Sequence, residues 1–347
     1  MILVTGYPKL VARRMAEAFL EGDTGAKVAL LTQAHHAEEA ERWAGGRMRV
    51  LVGDVAAMHL GLSTPEYREL SAELTDIVHA AEWSLLGASR LDLERVNMDG
   101  TRAVLELGHD CKRLRRFTHF STVFVCGDRQ GVVAEDELSS GQSFRNAYEQ
   151  TKFEAEILVR RAMADLPCTI VRPGIVLGDS RAAGADRFDA PYAVAILLVV
   201  SPVQVAVPLP GGGVAPLHLV PIDYVVAAAK ALHGDPRAAG RTFHLVDPNP
   251  WSARRVSELV AKRAGTTVPR NSFGSRLADA VLKLPGLERL TREQRGAVAY
   301  VQQLAFFNCR QTLEILEGTG IRCPPVEASV EALVAFGREA VQRKTDG

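Results

Sequence analysis

In the first half of the chain, short apolar runs alternate with longer amphipathic stretches. The amphipathic stretches include residues 10–20 and 148–163, which have helical spacing. Strand-length runs separated by helical stretches are typical of a parallel sheet with crossover helices. The predicted strands are residues 2–4, 27–31, 50–52, 77–79, 117–120 and 169–171.

The pattern changes after Gly178. Residues 179–220 are rich in Ala, Val, Gly and Pro with little periodicity, and most segments from 252 onward have helical spacing. We predict an α/β fold: a Rossmann-type doubly wound parallel sheet with a smaller, mostly helical substrate lobe. Residues 1–178, with 221–246 returning to them, form the dinucleotide-binding core; 179–220 and 247–347 form the substrate-binding lobe. Such sheets bind ligands outside the carboxyl ends of their strands.

The most apolar segment, residues 190–210, contains prolines at 191, 202, 208 and 210. They limit its uninterrupted apolar run to about ten residues, whereas a spanning helix needs about 20. We therefore expect no membrane span. A buried core segment and an apolar substrate wall both remain open, and Tyr192 is a candidate for the substrate pocket.

Charge and cysteine usage narrow the class of protein. Lys plus Arg equal Asp plus Glu at 41 each, without the basic stripe that nucleic-acid binding requires. The chain starts with a strand-like run instead of a charged and apolar leader, so we expect a cytoplasmic protein. The five cysteines are scattered, so we expect reduced thiols. The pair His35-His36 has no further ligands at metal-binding spacing, so we expect no metal site there. The acidic run 135–137 is expected to be a solvated loop.

The chemistry-bearing candidates are Tyr148 and Lys152 in Tyr-x-x-x-Lys, with Thr122 upstream at the end of a predicted strand. Residues at i and i+4 share one helix face. A phenol, an ammonium and a hydroxyl together suit proton exchange at a carbonyl or alcohol oxygen while a hydride moves. A surface Tyr-Lys helix pair is the alternative.

The junction of the first strand and its helix holds a candidate phosphate turn. Glycines in such a turn let the backbone approach a pyrophosphate at the helix N-terminus. Only Gly6 remains here, since Lys9 and Ala12 occupy the other glycine positions; Lys9 either pairs with a phosphate or crowds the site. An ordinary strand-to-helix turn is the alternative. The candidate contacts are Gly6, Tyr7, Pro8, Lys9, Leu10 and Val11.

The end of the second strand does not settle the cofactor. An acidic residue there binds the ribose of NAD, and an Arg accommodates the phosphate of NADP. This chain offers Gln33, so NADH and NADPH both remain open.

Several ordered motifs over about residues 1–265 resemble the extended short-chain dehydrogenase/reductases. The resemblance implies that Asp54 and Val55 lie over the adenine, and that Asn97 belongs to the cofactor-side helix. A turn Asp and a helix cap are the respective alternatives. The motifs are Gly53-Asp54-Val55, Val78-His79-Ala80-Ala81, Val96-Asn97-Met98-Asp99-Gly100-Thr101 and Arg172-Pro173-Gly174-Ile175-Val176-Leu177-Gly178. Further cofactor contacts implied by them are Ala80, Ala81, Pro173, Gly174, Ile175 and Val176.

A narrower likeness is to the thioester-reductase and fatty-acyl reductase branch. Segments 5–8, 121–129, 144–148 and 178–181 carry it, whereas Lys9 and Gln33 depart from that branch's usual Gly and Arg. The likeness implies NADPH-dependent reduction of carrier-protein or coenzyme A thioesters. Tyr148 then exchanges the substrate proton, Lys152 favours the phenolate and holds the nicotinamide ribose, and Thr122 donates a hydrogen bond. The candidate pocket residues are Trp83, Val123, Phe124 and Tyr192.

We predict an NAD(P)H-dependent oxidoreductase that transfers a hydride to a carbonyl or thioester of a lipophilic substrate, either a lipid or a secondary metabolite. The family resemblance also implies a homodimer. A nucleotide-sugar epimerase or dehydratase is one alternative, although 180–220 lacks a charged cluster suited to a diphosphate. A non-catalytic nucleotide-binding protein is another, supported by the degraded turn at Gly6 but not by the intact Thr122, Tyr148 and Lys152.

Overall fold

The strands of the protein are short and mostly buried. The computed structural model describes residues 1–21, 25–84, 88–179, 210–265, 300–329 and 334, and the candidate Tyr192 lies outside them. The strands are β1 (Ile2–Thr5), β2 (Val28–Thr32), β3 (Met48–Val52), β4 (Asp76–His79), β5 (Arg116–Phe120), β6 (Gly131–Val133), β7 (Cys168–Pro173), β8 (Ile175–Leu177), β9 (Leu219–Pro221), β10 (Thr242–Leu245) and β11 (Ala305–Phe307).

Amphipathic helices connect the strands. A π-helical turn, Arg95–Asp99, joins the fourth helix to the fifth, and a 3₁₀ turn, Val123–Cys126, follows β5. The helices are α1 (Leu10–Leu20), α2 (Ala37–Ala44), α3 (Thr64–Glu73), α4 (Arg90–Glu94), α5 (Gly100–Asp110), α6 (Ala147–Ala162), α7 (Ile222–Gly234), α8 (Ala253–Ala264) and α9 (Arg310–Leu316). None of the helices in the described ranges combines the length and the apolar character needed to cross a membrane.

Seven strands form one parallel sheet in the order β10-β7-β5-β4-β1-β2-β3. The chain starts at β1 and builds outward in both directions, so the sheet has its switch point between β1 and β4. Crevices for ligands lie outside the carboxyl ends of the strands at such a point. The predicted α/β doubly wound fold is thereby confirmed. How the remaining residues divide into lobes stays a prediction, because much of 179–220 and 247–347 lies outside the described residues.

Apolar clusters cover both faces of the sheet. On one face α1 and α7 bury side chains such as Met15, Phe19 and Leu232, and on the other α3 and α5 bury Leu70 and Leu107. Strands buried on both faces need apolar side chains throughout, which explains the continuous apolar runs of the sequence. A third cluster packs around the amino-terminal end of α6 and includes residues from 300–307.

Two two-stranded pairs, β8 with β9 and β6 with β11, lie outside the main sheet. Residues 305–307 fall in a stretch where the sequence predicted helices, so that prediction was wrong for β11. A three-residue strand is too short to show the alternation that distinguishes strand from helix.

The acidic run, residues 135–137, also differs from the solvated loop that the sequence predicted. Asp136 and Glu137 are exposed, but Glu135 is only 2% exposed. Its carboxylate accepts hydrogen bonds from the backbone N–H groups of His244, Gln311 and Thr312. Glu135 therefore links the core to the beginning of α9, instead of facing solvent. A buried carboxylate is tolerated where several donors satisfy it.

Candidate active site

The turn after β1 forms one wall of a cleft at the switch point. Gly6 has φ +105°, and a Cβ on it would come within 2.7 Å of the backbone C and O atoms of Ala80. Glycine is required here both by the positive φ and by the close approach of the two chain segments. The turn thus lies directly against the end of β4, where a phosphate-binding turn of this fold belongs.

We expect Gly6→Ala to weaken binding of the nicotinamide cofactor, NADPH or NADH, by about tenfold or more, because the added methyl group has to move the turn off Ala80. Gly45→Ala is the matched control, since Gly45 also has positive φ (+56°) but nothing within 4 Å of its Cβ position. It ends α2, so its effect should be confined to about 1 kcal/mol of stability. Calorimetric titration with NADPH and with NADH separates the two variants. Equal affinities for both variants would contradict a role for the turn in cofactor binding.

A cleft of about 290 Å³ opens beside this turn, just below the range that is typical of ligand pockets, roughly 300–1,000 Å³. The cleft is lined by eight of the residues that were predicted to contact the cofactor, which are Gly6, Tyr7, Pro8, Lys9, Gln33, Asp54, Val55 and Ala81. The remaining lining residues are Leu31, Thr32, His35, His36, Gly53, Glu82, Trp83 and Val96. Trp83, predicted for the substrate pocket, therefore lies on the cofactor side and is 43% exposed.

The other predicted cofactor residues occupy supporting positions. Leu10 and Val11, the first two residues of α1, pack against the core. Pro173 ends β7, and Ile175 and Val176 belong to β8. A Cβ on Gly174 would meet the carbonyl oxygen of His218 at 2.3 Å, so this glycine allows β8 to lie against β9.

Asn97 stabilises the loop that follows β4. Its side-chain oxygen accepts a hydrogen bond from Trp83 N at 2.7 Å, and its amide donates to Trp83 O at 3.0 Å and to Thr151 Oγ1 at 3.1 Å. Asn97 lies within the π-helical turn and is 1% exposed, so the alternative of a helix cap was wrong. It connects the cleft loop to helix α6.

Asp54 makes both a turn contact and an ion pair. Its Oδ1 accepts from Ala56 N at 2.9 Å, and its Oδ2 lies 2.7 Å from Arg95 Nη2. The carboxylate therefore orders the loop after β3 at the edge of the cleft, next to Val55.

Helix α6 carries Tyr148 and Lys152 on its buried face. Asn146 caps the helix, because its side-chain oxygen accepts from Glu149 N at 3.0 Å. Tyr148 then falls in the first turn and Lys152 in the second, and each is 1% exposed. The spacing of four residues places both on one side, as the sequence predicted.

The Lys152 ammonium is held at the carboxyl end of β5. Its Nζ donates to Phe120 O at 2.7 Å and lies 3.4 Å from Glu82 Oε2. Burial lowers the pKa of Lys152 below its usual value, and the Glu82 carboxylate opposes that shift.

Thr122 lies two residues beyond the carbonyl group that Lys152 contacts. Its Oγ1 accepts a hydrogen bond from Phe124 N at 3.3 Å and begins the 3₁₀ turn. A threonine hydroxyl that accepts one hydrogen bond still has its own proton to donate. Val123 and Phe124, the predicted pocket residues, pack in the same apolar cluster as Tyr148.

Glu82 is the functional candidate that sequence reasoning missed. Tyr148 Oη donates to its Oε2 at 3.2 Å, and Lys9 Nζ lies 3.5 Å from its Oε1. Lys9 also donates to Ser84 Oγ at 2.9 Å. Burial opposes ionisation of Glu82, yet the ammonium groups of Lys9 and Lys152 hold its pKa below the usual value. The available signal was its position, the first ionisable side chain after His79 at the end of a parallel strand.

A buried ion pair supports the site from behind. Arg172 Nε and Nη2 donate to the two carboxylate oxygens of Glu156 at 2.9 and 2.6 Å. Ser121, the neighbour of Thr122, donates to the same carboxylate at 2.7 Å. Burial opposes ionisation of Glu156, but Arg172 holds its pKa below the usual value. This pair joins helix α6 to strands β5 and β7, and so holds Lys152 and Thr122 at one edge of the sheet.

The switch-point cleft, the glycine turn and the buried Tyr148–Lys152 pair are features of the extended short-chain dehydrogenase/reductase fold. The family model described as male sterility protein matches residues 18–229. This chain belongs to that NAD-binding family, and within the extended reductases to the thioester-reductase branch. The matched range includes Thr122, Tyr148 and Lys152 but begins after the turn at Gly6.

Individual similarities agree with this assignment. The terminal R domain from the myxalamid PKS-NRPS biosynthetic pathway superimposes with a TM-score of 0.80 and 26% identity, over 99% of this chain and 91% of the other. A linear gramicidin synthase polypeptide of Brevibacillus parabrevis is 24% identical over 86% of this chain, which spans 6% of that protein. A fatty acyl-CoA reductase of Drosophila melanogaster is 24% identical over 53% of this chain, which spans 41% of that protein.

Proposed function

We propose that the protein reduces acyl thioesters with a nicotinamide cofactor, through Thr122, Tyr148 and Lys152. The observation that carries this proposal is the position of Tyr148 and Lys152: both are buried on one face of α6, against the carboxyl end of β5 and beside the cleft of the Gly6 turn. The likeness to a terminal R domain and to a fatty acyl-CoA reductase supports a thioester as the substrate class.

The residues fit a dinucleotide. Gly6 lets the turn lie directly against the end of β4, and the open cleft beside it runs from Gln33 after β2 to Glu82 and Trp83. A bound nicotinamide would supply the hydride. Lys152 has three ammonium protons, and two of its contacts are Phe120 O and Glu82 Oε2. Its remaining donor capacity suits a ribose hydroxyl.

Side chains of the protein stabilise the negative charge that develops on the substrate oxygen. As the hydride reaches the thioester carbon, negative charge develops on its oxygen, where Tyr148 donates a proton and Thr122 a hydrogen bond. When the C–S bond breaks, the proton that Tyr148 gave to the oxygen returns to Tyr148, the sulfur takes up one proton and leaves as a thiol, and an aldehyde remains, so that one hydride and one proton are consumed per thioester. A second hydride and proton would convert the aldehyde into an alcohol.

An apolar acyl chain is the proposed specificity. Val123 and Phe124 follow β5 and belong to the buried apolar cluster around Tyr148. Tyr192, proposed for the same pocket, lies outside the described residues. Apolar walls with a few convergent polar groups are what ligand sites usually present.

The test is to incubate the protein with a long-chain acyl-coenzyme A or with a ketone of matched chain length, each with NADPH or NADH. We expect cofactor oxidation together with release of free thiol from the thioester. One cofactor consumed per thiol indicates an aldehyde product, and two indicate an alcohol. Cofactor oxidation with the ketone alone, or conversion of a nucleotide sugar without net cofactor consumption, would overturn the thioester assignment.

A further inference from the structure

Glu82 lies where the phosphate turn meets the catalytic helix. Its Oε1 faces Lys9 of the turn, and its Oε2 faces both Tyr148 and Lys152. The side chain is 20% exposed, so it lies at the inner end of the cleft. The Glu82 carboxylate thereby contacts Lys9 in the predicted cofactor site and also both Tyr148 and Lys152, the proposed catalytic pair.

Those contacts occupy the groups that the proposed reaction needs. The Tyr148 proton is donated to Glu82, so it is unavailable to a substrate oxygen until that hydrogen bond is exchanged. Lys152 also directs one donor toward the same oxygen atom. In addition, a dinucleotide carries a pyrophosphate, and a carboxylate in the same cleft repels it.

The backbone around Glu82 is fixed, whereas its side chain can rotate. Trp83 is held at its backbone N and O by Asn97, and Ala81 N donates to Thr5 Oγ1 at 3.3 Å. Release of the catalytic pair therefore needs rotation about the side-chain bonds of Glu82, not movement of the loop.

We propose that Glu82 is an internal competitor of the cofactor: its carboxylate holds Tyr148 and Lys152 in the cofactor-free protein, and binding of the dinucleotide displaces it. Glu82 is thus a positioning residue that sets cofactor affinity. This inference rests on the roles proposed for Tyr148 and Lys152 but not on the thioester substrate, and it is tested with cofactor alone.

The experiment is calorimetric titration of wild type and Glu82→Gln with NADPH and with NADH, with no substrate present. Glutamine keeps the shape and can still accept from Tyr148, but it neither attracts the two ammonium groups nor repels the pyrophosphate. We expect Glu82→Gln to bind the cofactor about five- to tenfold more tightly than wild type. A merely structural role for Glu82 would not tighten binding.

Glu94→Gln is the matched control, because it removes the same charge from α4, where the carboxylate pairs with Arg90. Its affinity should stay within about twofold of wild type. Unchanged or weaker binding by Glu82→Gln overturns the proposal, and weaker binding would identify Glu82 as an acceptor for the cofactor. Failure of wild type to bind either dinucleotide would instead overturn the cofactor site itself. Circular dichroism of each variant verifies that it is folded.

Discussion

Tyr148→Phe is expected to lower kcat by about 10²- to 10⁴-fold, which is the usual contribution of a positioned general acid. The loss corresponds to roughly 3–5 kcal/mol in the activation free energy. Phenylalanine keeps the buried ring in the cluster with Val123 and Phe124 but has no proton for the substrate oxygen. Cofactor binding should survive, because the cleft residues from Gly6 to Asp54 are untouched.

Two measurements on Tyr148→Phe check this: turnover of the acyl thioester at saturating cofactor, and calorimetry with NADPH. Tyr67→Phe is the matched control, since it also removes a partly buried hydroxyl that donates a hydrogen bond, in that case to Asp110 at 2.8 Å. Tyr67 lies on α3, outside the residues that line the cleft. A Tyr148→Phe enzyme that keeps more than about a tenth of wild-type kcat would exclude Tyr148 as the proton donor.

Arg172→Met is expected to lower the free energy of unfolding by about 3 kcal/mol or more. Breaking a buried ion pair by removing one partner leaves an uncompensated charge and typically costs about 3–5 kcal/mol. Here the group left behind is Glu156, which is 0% exposed and would keep only Ser121 and the partly exposed Arg160, whose Nε lies 3.0 Å from its Oε1, so the loss should lie near the lower end of that range. Because Glu156 joins α6 to β5, activity should fall together with stability.

The pH dependence of that loss has a defined sign. The folded-state pKa of Glu156 is held below its usual value, so the pair stabilises the protein above the unfolded pKa of about 4.3. This stabilisation is lost as the pH falls through the folded-state pKa. The difference between wild type and Arg172→Met should therefore be largest near neutral pH and shrink in acid.

Urea unfolding of Arg172→Met, of Arg90→Met and of the double variant Arg172→Met/Glu156→Leu measures these effects. Arg90 pairs with Glu94 at the surface and should contribute less than about 1 kcal/mol. The double variant should be more stable than Arg172→Met, since no buried charge is left unpaired. A single variant as stable as Arg90→Met, or a double variant less stable than the single, would contradict this account.

The sequence predicted the sheet because its signals are local. Continuous apolar runs such as those of β2 and β4 follow from burial on both faces, and the amphipathic spacing of α1 and α6 follows from burial on one side. The i, i+4 relation of Tyr148 and Lys152 is likewise a property of one helix.

The spacing of residues within one helix or strand could not predict contacts between segments that are far apart in the chain. Glu82 meets Lys9 across 73 positions and Tyr148 across 66, and Glu135 meets Thr312 across 177. A carboxylate after a strand gives no local sign of whether solvent, a cation or a backbone N–H will satisfy it.

The amino-acid sequence by itself determined most strands of the main sheet, the helices α1 and α6, and that a phenol and an ammonium share one helix face, because backbone propensity and side-chain periodicity act over a few residues. Tertiary structure alone decided that Glu82 joins Lys9 to Tyr148 and Lys152, and that Glu135 is buried. The physical reason is the order of the sheet: it brings the carboxyl ends of β1, β4 and β5 side by side, although they are far apart in the chain.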